Sequence, residues 1–366
     1  MFVGVAHERG LGCDVDHGEA YRWYGLAGEA GFAAAQRAQA SLLERGQGVV
    51  RDQSMALELY DRAARAGSRD AMVDLARVHL ESEPARDYAL ARQWALAAAN
   101  MGSAEGAALL GRISRDGLGV PADADEAMRW WLRAAEGGSA EAQYALAVTL
   151  GAVEGEAADP VAAAMWLRRA AVAGQVDAQF ELARAYDRGD GVEEDPAEAT
   201  RWYGLAAEQG HLEAKALYGL SLTVGSGIEA DRERGMELIL DAADAGSPRA
   251  LSLAGYAFEV GLGVDPDIGR AVELYRRGAE AGSPEAAFNL ARMYYMGTGV
   301  LRSLAIGRRW LELALEHDLP QAQNFYGTLY RDGRGHLWLT TFEGGDFPLR
   351  RRPLLYLHYR GRATGQ

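Results

Sequence analysis

Apolar residues recur along this chain in short helical stripes that break at a pair of glycines and then start again. Within residues 175–210 the first stripe is Ala178, Leu182, Ala183 and Tyr186, four, five and eight positions apart, which places all four on one side of an α-helix. A second stripe, Ala199, Trp202, Tyr203, Ala206 and Ala207, predicts another amphipathic helix. Gly189 and Gly191 lie between them, where glycine supplies the positive φ that ends a helix and reverses the chain. Gly210 closes the unit.

The same closure falls at Gly31, Gly67, Gly102, Gly138, Gly174, Gly246 and Gly282, in steps of 36 residues with one of 35, and Asp318 stands at the next position. A chain that repeats itself at this period predicts an all-α fold, a right-handed αα-solenoid (superhelix) of helix-turn-helix units of about 36 residues. The organisation follows. Residues 1–31 form a truncated first repeat, 32–318 eight consecutive repeats, 319–335 the first helix of a partial repeat, and 336–366 an irregular basic and aromatic tail.

Helix boundaries are marked in the same register. Ser68, Ser103, Ser139, Ser247 and Ser283 cap the first helices, with Pro248 and Pro284 at the first helical position. Asp70, Glu105, Glu141, Asp177, Glu213 and Glu285 follow in the first turn and oppose the positive end of the helix dipole. Asp159 and Asp195, each followed by proline, cap second helices. The apolar residue after each glycine pair (Val49, Val120, Val192, Ile228, Val264, Val300) is expected to plug the loop into the core. Cys13 occupies the same slot and reads as a small buried hydrophobe. Trp23, Trp94, Trp130, Trp166, Trp202 and Trp310 share one position of the second helix and are expected to be core, filling the wedge between successive units.

Two turns depart from the pattern. Glu81-Ser82-Glu83-Pro84 replaces one glycine pair and Val153 replaces the first glycine of another, so different turn shapes and a local change of superhelical twist are expected there. The first unit begins inside its first helix, which predicts either a missing partner for that end face or a start placed too late. The tail, with Trp338, Phe342, Phe347, Arg350, Arg351, Arg352 and the stretch Tyr356 to Tyr359, reads as irregular; a strand-forming cap, a basic arm and a frameshift product are the alternatives.

Composition narrows the function classes. Hydrophobic residues make up 49% and charged residues 25%, enough for an extended core. A net charge of -14 with a pI near 5.1 disfavours nucleic acid and anionic lipid and fits protein partners. The single cysteine rules out an internal disulfide framework and a thiolate metal cluster. Neither an 18-residue apolar run nor a basic-then-apolar leader is present. The expected compartment is the cytoplasm as the sequence is written, or the periplasm or exterior if a signal segment precedes Met1.

The glycine pairs, the 36-residue unit and the ending A-x-x-W-[YWL]-x-x-A-A-x-x-G, as in Asp195 to Gly210, resemble the Sel-1-like repeat family, relatives of the tetratricopeptide repeats. The pattern recurs from Asp16 to Gly31 and from Asp123 to Gly138, and the likeness covers about nine-tenths of the chain. The resemblance implies an adaptor or scaffold of the kind found in protein quality control, envelope signalling, exopolysaccharide production and host interaction.

Chemistry is harder to find. There is no P-loop, H-E-x-x-H or G-x-S-x-G, and the seven histidines occupy different positions of different units. No catalytic residue, metal site or cofactor is expected. The leading reading is therefore a non-enzymatic scaffold that binds a partner protein or peptide. Regulation of an envelope or exopolysaccharide system is the alternative, and hydrolysis of cell-wall or antibiotic substrates ranks below both. One feature invites a binding role: Arg77, Arg112, Arg184 and Arg292 share one position on the first helix, opposite its apolar stripe, where a guanidinium row would clasp an acidic or C-terminal carboxylate segment. The competing reading is self-neutralisation by Asp74, Glu181 and the acids seven residues before each arginine.

Overall fold

The computed structural model describes residues 1–83, 85–152 and 159–331. The turn residues Pro84 and Val153 and the tail 336–366 lie outside the described residues. The first helices of the repeats are α1 (Phe2–Arg9), α3 (Ala33–Arg45), α5 (Arg69–Glu81), α7 (Ala104–Asp116), α9 (Ala140–Ala152), α11 (Val176–Arg188), α13 (Leu212–Val224), α15 (Pro248–Val260), α17 (Pro284–Met296) and α19 (Pro320–Arg331). The second helices alternate with them: α2 (His17–Glu29), α4 (Gln53–Arg65), α6 (Tyr88–Asn100), α8 (Ala124–Glu136), α10 (Pro160–Val172), α12 (Pro196–Glu208), α14 (Arg232–Asp244), α16 (Ile268–Glu280) and α18 (Leu304–Glu316). Each helix packs on the next, and no strand occurs among the described residues, so the fold is an all-α solenoid.

The boundaries follow local chemistry. Each of the five predicted serines accepts a hydrogen bond from the backbone N–H three residues on, as Ser103 Oγ does from Gly106 at 3.1 Å. Gln175 and His211 take the same position in two of the repeats without serine. His211 Nδ1 accepts from the Ala214 N–H at 3.1 Å, so this ring nitrogen is unprotonated and Nε2 carries the hydrogen. An aspartate caps every second helix from α2 to α16, and Ser303 caps α18. Where the glycine pair is absent, Ser82 ends α5 in an extended conformation, φ −101°, in place of the left-handed one.

Asp318, in the register of the closing glycines, adopts φ 53°, left-handed backbone that strains a side chain bearing a Cβ. Asp318→Gly is therefore expected to raise stability by about 1 kcal/mol, read as an upward shift of the urea midpoint without change of slope.

The core corrects three expectations. The tryptophan position lies at the edge of the core: Trp23 is 39% exposed, Trp94, Trp130 and Trp310 are half-buried, and only Trp166 and Trp202 are buried. The residue after it lies deepest, as in Tyr24, Tyr60, Trp131, Tyr203, Ile239, Tyr275 and Leu311. An indole has a polar edge, and Trp202 Nε1 donates to Glu198 one turn back at 3.0 Å, which suits a boundary site. The valine plugs at Val49, Val120, Val192, Val264 and Val300 do pack on the core, but Ile228 is 39% exposed. Cys13 is exposed as well, its Sγ 3.7 Å from His7 Nδ1. The later loops rest on the second helix of the repeat before, as Gly48 does on His17 and Gly18.

Buried tyrosines tie the two helices of a repeat together. Tyr24, Tyr60 and Tyr275 donate to Glu8, Glu44 and Glu259, sixteen residues earlier, at 2.5, 2.9 and 2.8 Å. Burial first, and then nearby carboxylates, raises these phenols above their ordinary value of 10.0. Burial pushes Tyr295 up to about 12. Because the folded values are raised, their contribution to stability is complete below the unfolded value and is lost as pH climbs towards the folded ones. Melting temperature should be flat up to about pH 9 and fall steeply above about pH 10. Tyr275→Phe should make that alkaline fall shallower; an unchanged slope would show that this phenol does not titrate with unfolding.

Candidate partner-binding face

Among neighbouring helices of the same row, first helices make the closest approaches: α3 to α5, α5 to α7, α7 to α9, α13 to α15 and α15 to α17. The first-helix row therefore lies on the inside of the curve. The side of each first helix that carries Ala178, Leu182 and Tyr186 in α11 packs on the second helices, which leaves the opposite side facing the groove. Asp177, Glu181, Arg184 and Arg188 occupy that side of α11, spaced three or four residues apart.

The four arginines stand on this face, all half-buried and all engaged. Arg77 and Arg184 pair within their own helices, with Asp74 and Glu181, each at 2.9 Å. Arg112 reaches back to Glu81 of the preceding repeat at 2.8 Å, and Arg292 pairs with Glu259, also one repeat earlier. The acids seven residues before Arg112 and Arg292 are not their partners: Glu105 and Glu285 accept from the capping hydroxyls of Ser103 and Ser283. Asp74, 5% exposed, also receives Arg37 from the repeat before at 2.5 Å. The row thus works first as a set of struts along and between repeats.

The groove differs along its length. One register position of the first helices varies in size along the chain. Where it is Val73, Ala108, Ala216 or Ser252 the neighbouring first helices touch, and where it is Tyr144 or Phe180 they stand further apart. Phe180 fills its gap by stacking on His211, ring centroids 4.3 Å apart. Between α9, α11 and α13 this leaves a cavity of about 440 Å³ lined by Tyr144, Asp177, Phe180, Glu181, His211, Leu212 and Glu213. Beyond it the inner face turns apolar. Leu217, Leu220 and Val224 continue along α13, Leu253, Tyr256 and Val260 along α15, and Met296 ends α17 on the same side. Val224, Tyr256, Val260 and Met296 are between 48% and 59% exposed.

Sequence reasoning missed this apolar reach because each residue is unremarkable in its own repeat; only the alignment of units places Val224, Val260 and Met296 at one position in three consecutive repeats. It also missed Gln36, Gln143 and Gln179, which share a register and donate from the first helix to the carbonyls of Gly28, Ala135 and Ala171. Among the described residues no group of three or more metal-binding side chains occurs, and no helix is long and apolar enough to cross a membrane.

Comparison with known proteins agrees with this geometry. The Sel1 repeat family profile matches ten consecutive segments, running from residues 1–32 to 320–337. Among solved structures, a protective antigen of uropathogenic Escherichia coli strains displaying an SLR fold is 27% identical over 96% of this chain and 80% of its own, with a TM-score of 0.70. A Sel1 repeat protein from Oxalobacter formigenes is 28% identical over 84% of this chain and 90% of its own, with a TM-score of 0.55. No curated protein sequence matches.

Proposed function

Because the chain belongs to the Sel1 repeat family, a fold of protein-interaction scaffolds, we propose that it is a non-catalytic scaffold that holds a partner protein or peptide along the inner, first-helix face. The observation that carries this reading is the run of solvent-exposed apolar side chains on that face, Val224, Tyr256, Val260 and Met296. A contiguous exposed apolar surface is costly to leave in water and marks an interaction site.

The arginine row supports a second reading, in which an acidic segment binds the same face through Arg77, Arg112, Arg184 and Arg292. Such a segment would have to displace carboxylates already paired at 2.8 to 2.9 Å in three of the four. Affinity capture from the source organism, followed by mass spectrometry, separates the readings. A partner lost with Val224→Asp/Val260→Asp and kept by the outer-row control Leu132→Asp is the expected result. Loss only when all four arginines are replaced by alanine would favour the acidic segment, and retention by every inner-face variant would remove both.

A further inference from the structure

We propose that the occupant of the inner face is an extended segment of a separate protein that presents an arginine or lysine to the cavity between α9, α11 and α13 and lays apolar side chains along α13, α15 and α17. This rests on the reading of that face as the docking surface and specifies its chemistry.

The cavity is built for the end of a long cationic side chain. Among its aromatic members the half-buried Tyr144 offers ring surface against which the aliphatic stem of an arginine or lysine packs, while Phe180, covered by His211, forms the floor. Its polar members are carboxylates. Arg184 neutralises Glu181 at 2.9 Å and lies over the Phe180 ring, so that cation is already committed. Asp177, whose side chain is 58% exposed, accepts from Gln175 Nε2 at 3.3 Å and faces His211 Nε2 at 3.9 Å. Glu213 has Arg249 no nearer than 4.0 Å. A guanidinium entering here meets two solvent-accessible carboxylates without close cation partners.

Continuity supplies the second half of the argument. Glu213 stands one turn before Leu217 on the same side of α13, and Leu220 and Val224 follow, so a chain anchored at the carboxylates runs directly onto the apolar reach. The whole protein carries a charge of -14, which steers a basic segment towards this surface and repels an acidic one.

A phage-displayed library of random dodecapeptides, selected on the full chain, tests this. Selected peptides should carry one arginine or lysine beside two or more large apolar residues. Their synthetic forms should lose affinity tenfold or more both with Asp177→Asn/Glu213→Gln and with Val224→Asp/Val260→Asp. All four positions are solvent-accessible, and unchanged melting curves confirm that the variants fold. Acidic peptides that fail only when the four arginines are replaced by alanine would overturn this proposal while leaving the inner face as the docking surface. Peptides indifferent to every inner-face variant would overturn both. Failure to enrich any peptide would overturn the present proposal, as would a synthetic peptide of residues 336–366 that displaces every selected one, since the occupant would then be this chain's own C-terminal segment.

Discussion

Gly191→Ala is expected to destabilise the protein by about 3 kcal/mol, against about 1 kcal/mol for Gly210→Ala. Both glycines hold left-handed backbone, with φ of 74° and 90°. They differ in what a methyl group would meet. A Cβ on Gly191 would lie 1.9 Å from the carbonyl oxygen and 2.3 Å from the carbonyl carbon of Pro160, at the start of the second helix of the preceding repeat. Those are backbone atoms, so relief requires moving one repeat against another. A Cβ on Gly210 meets nothing within 4 Å, and its cost is conformational alone. Gly227, whose Cβ would lie 2.2 Å from the Pro196 carbonyl oxygen, should behave like Gly191. Urea denaturation of the three variants checks this; equal losses at Gly191 and Gly210 would show that the contact between repeats adds nothing.

Tyr275→Ala carries the second large effect, a loss of about 3 to 5 kcal/mol. The ring is fully buried against Gly255, where an added Cβ would come within 2.7 Å of it, and its hydroxyl donates to Glu259 at 2.8 Å. Removing the ring opens a cavity and releases Glu259, which also pairs with Arg292 of the next repeat. Tyr275→Phe keeps the volume and removes one hydrogen bond to a charged acceptor, for a loss of about 1.5 kcal/mol. Thermal melts of the pair separate packing from the polar tie. Because stability in such an array is carried between nearest neighbours, the Ala variant should also broaden the transition.

The all-α solenoid was legible in the sequence because the closing glycines, the glycine pairs and the capping aspartates report backbone needs that recur in register in most units. Burial was less legible. Trp202 outranks Tyr203 in size, yet Tyr203 sits deeper, because the polar edge of the indole finds Glu198 at the boundary. The groove was the least legible part. The arginine row was visible as a register, but its partners Glu81 and Glu259 lie 31 and 33 residues away on a neighbouring helix, beyond any local pairing rule. Tyr144 and Phe180 look like ordinary apolar members of their helices; that they line a cavity between first helices is a property of how repeats stack.

The docking reading is tested most directly by placing the photocrosslinking residue p-benzoylphenylalanine at Tyr256 on the inner row, and separately at Leu132 on the outer row, both exposed, in the full chain expressed in its own cells. The account predicts a discrete crosslinked adduct from position 256 on irradiation, abolished by Val224→Asp/Val260→Asp, and none from position 132. An adduct from position 132 with none from 256 would contradict it and place the binding surface on the second helices.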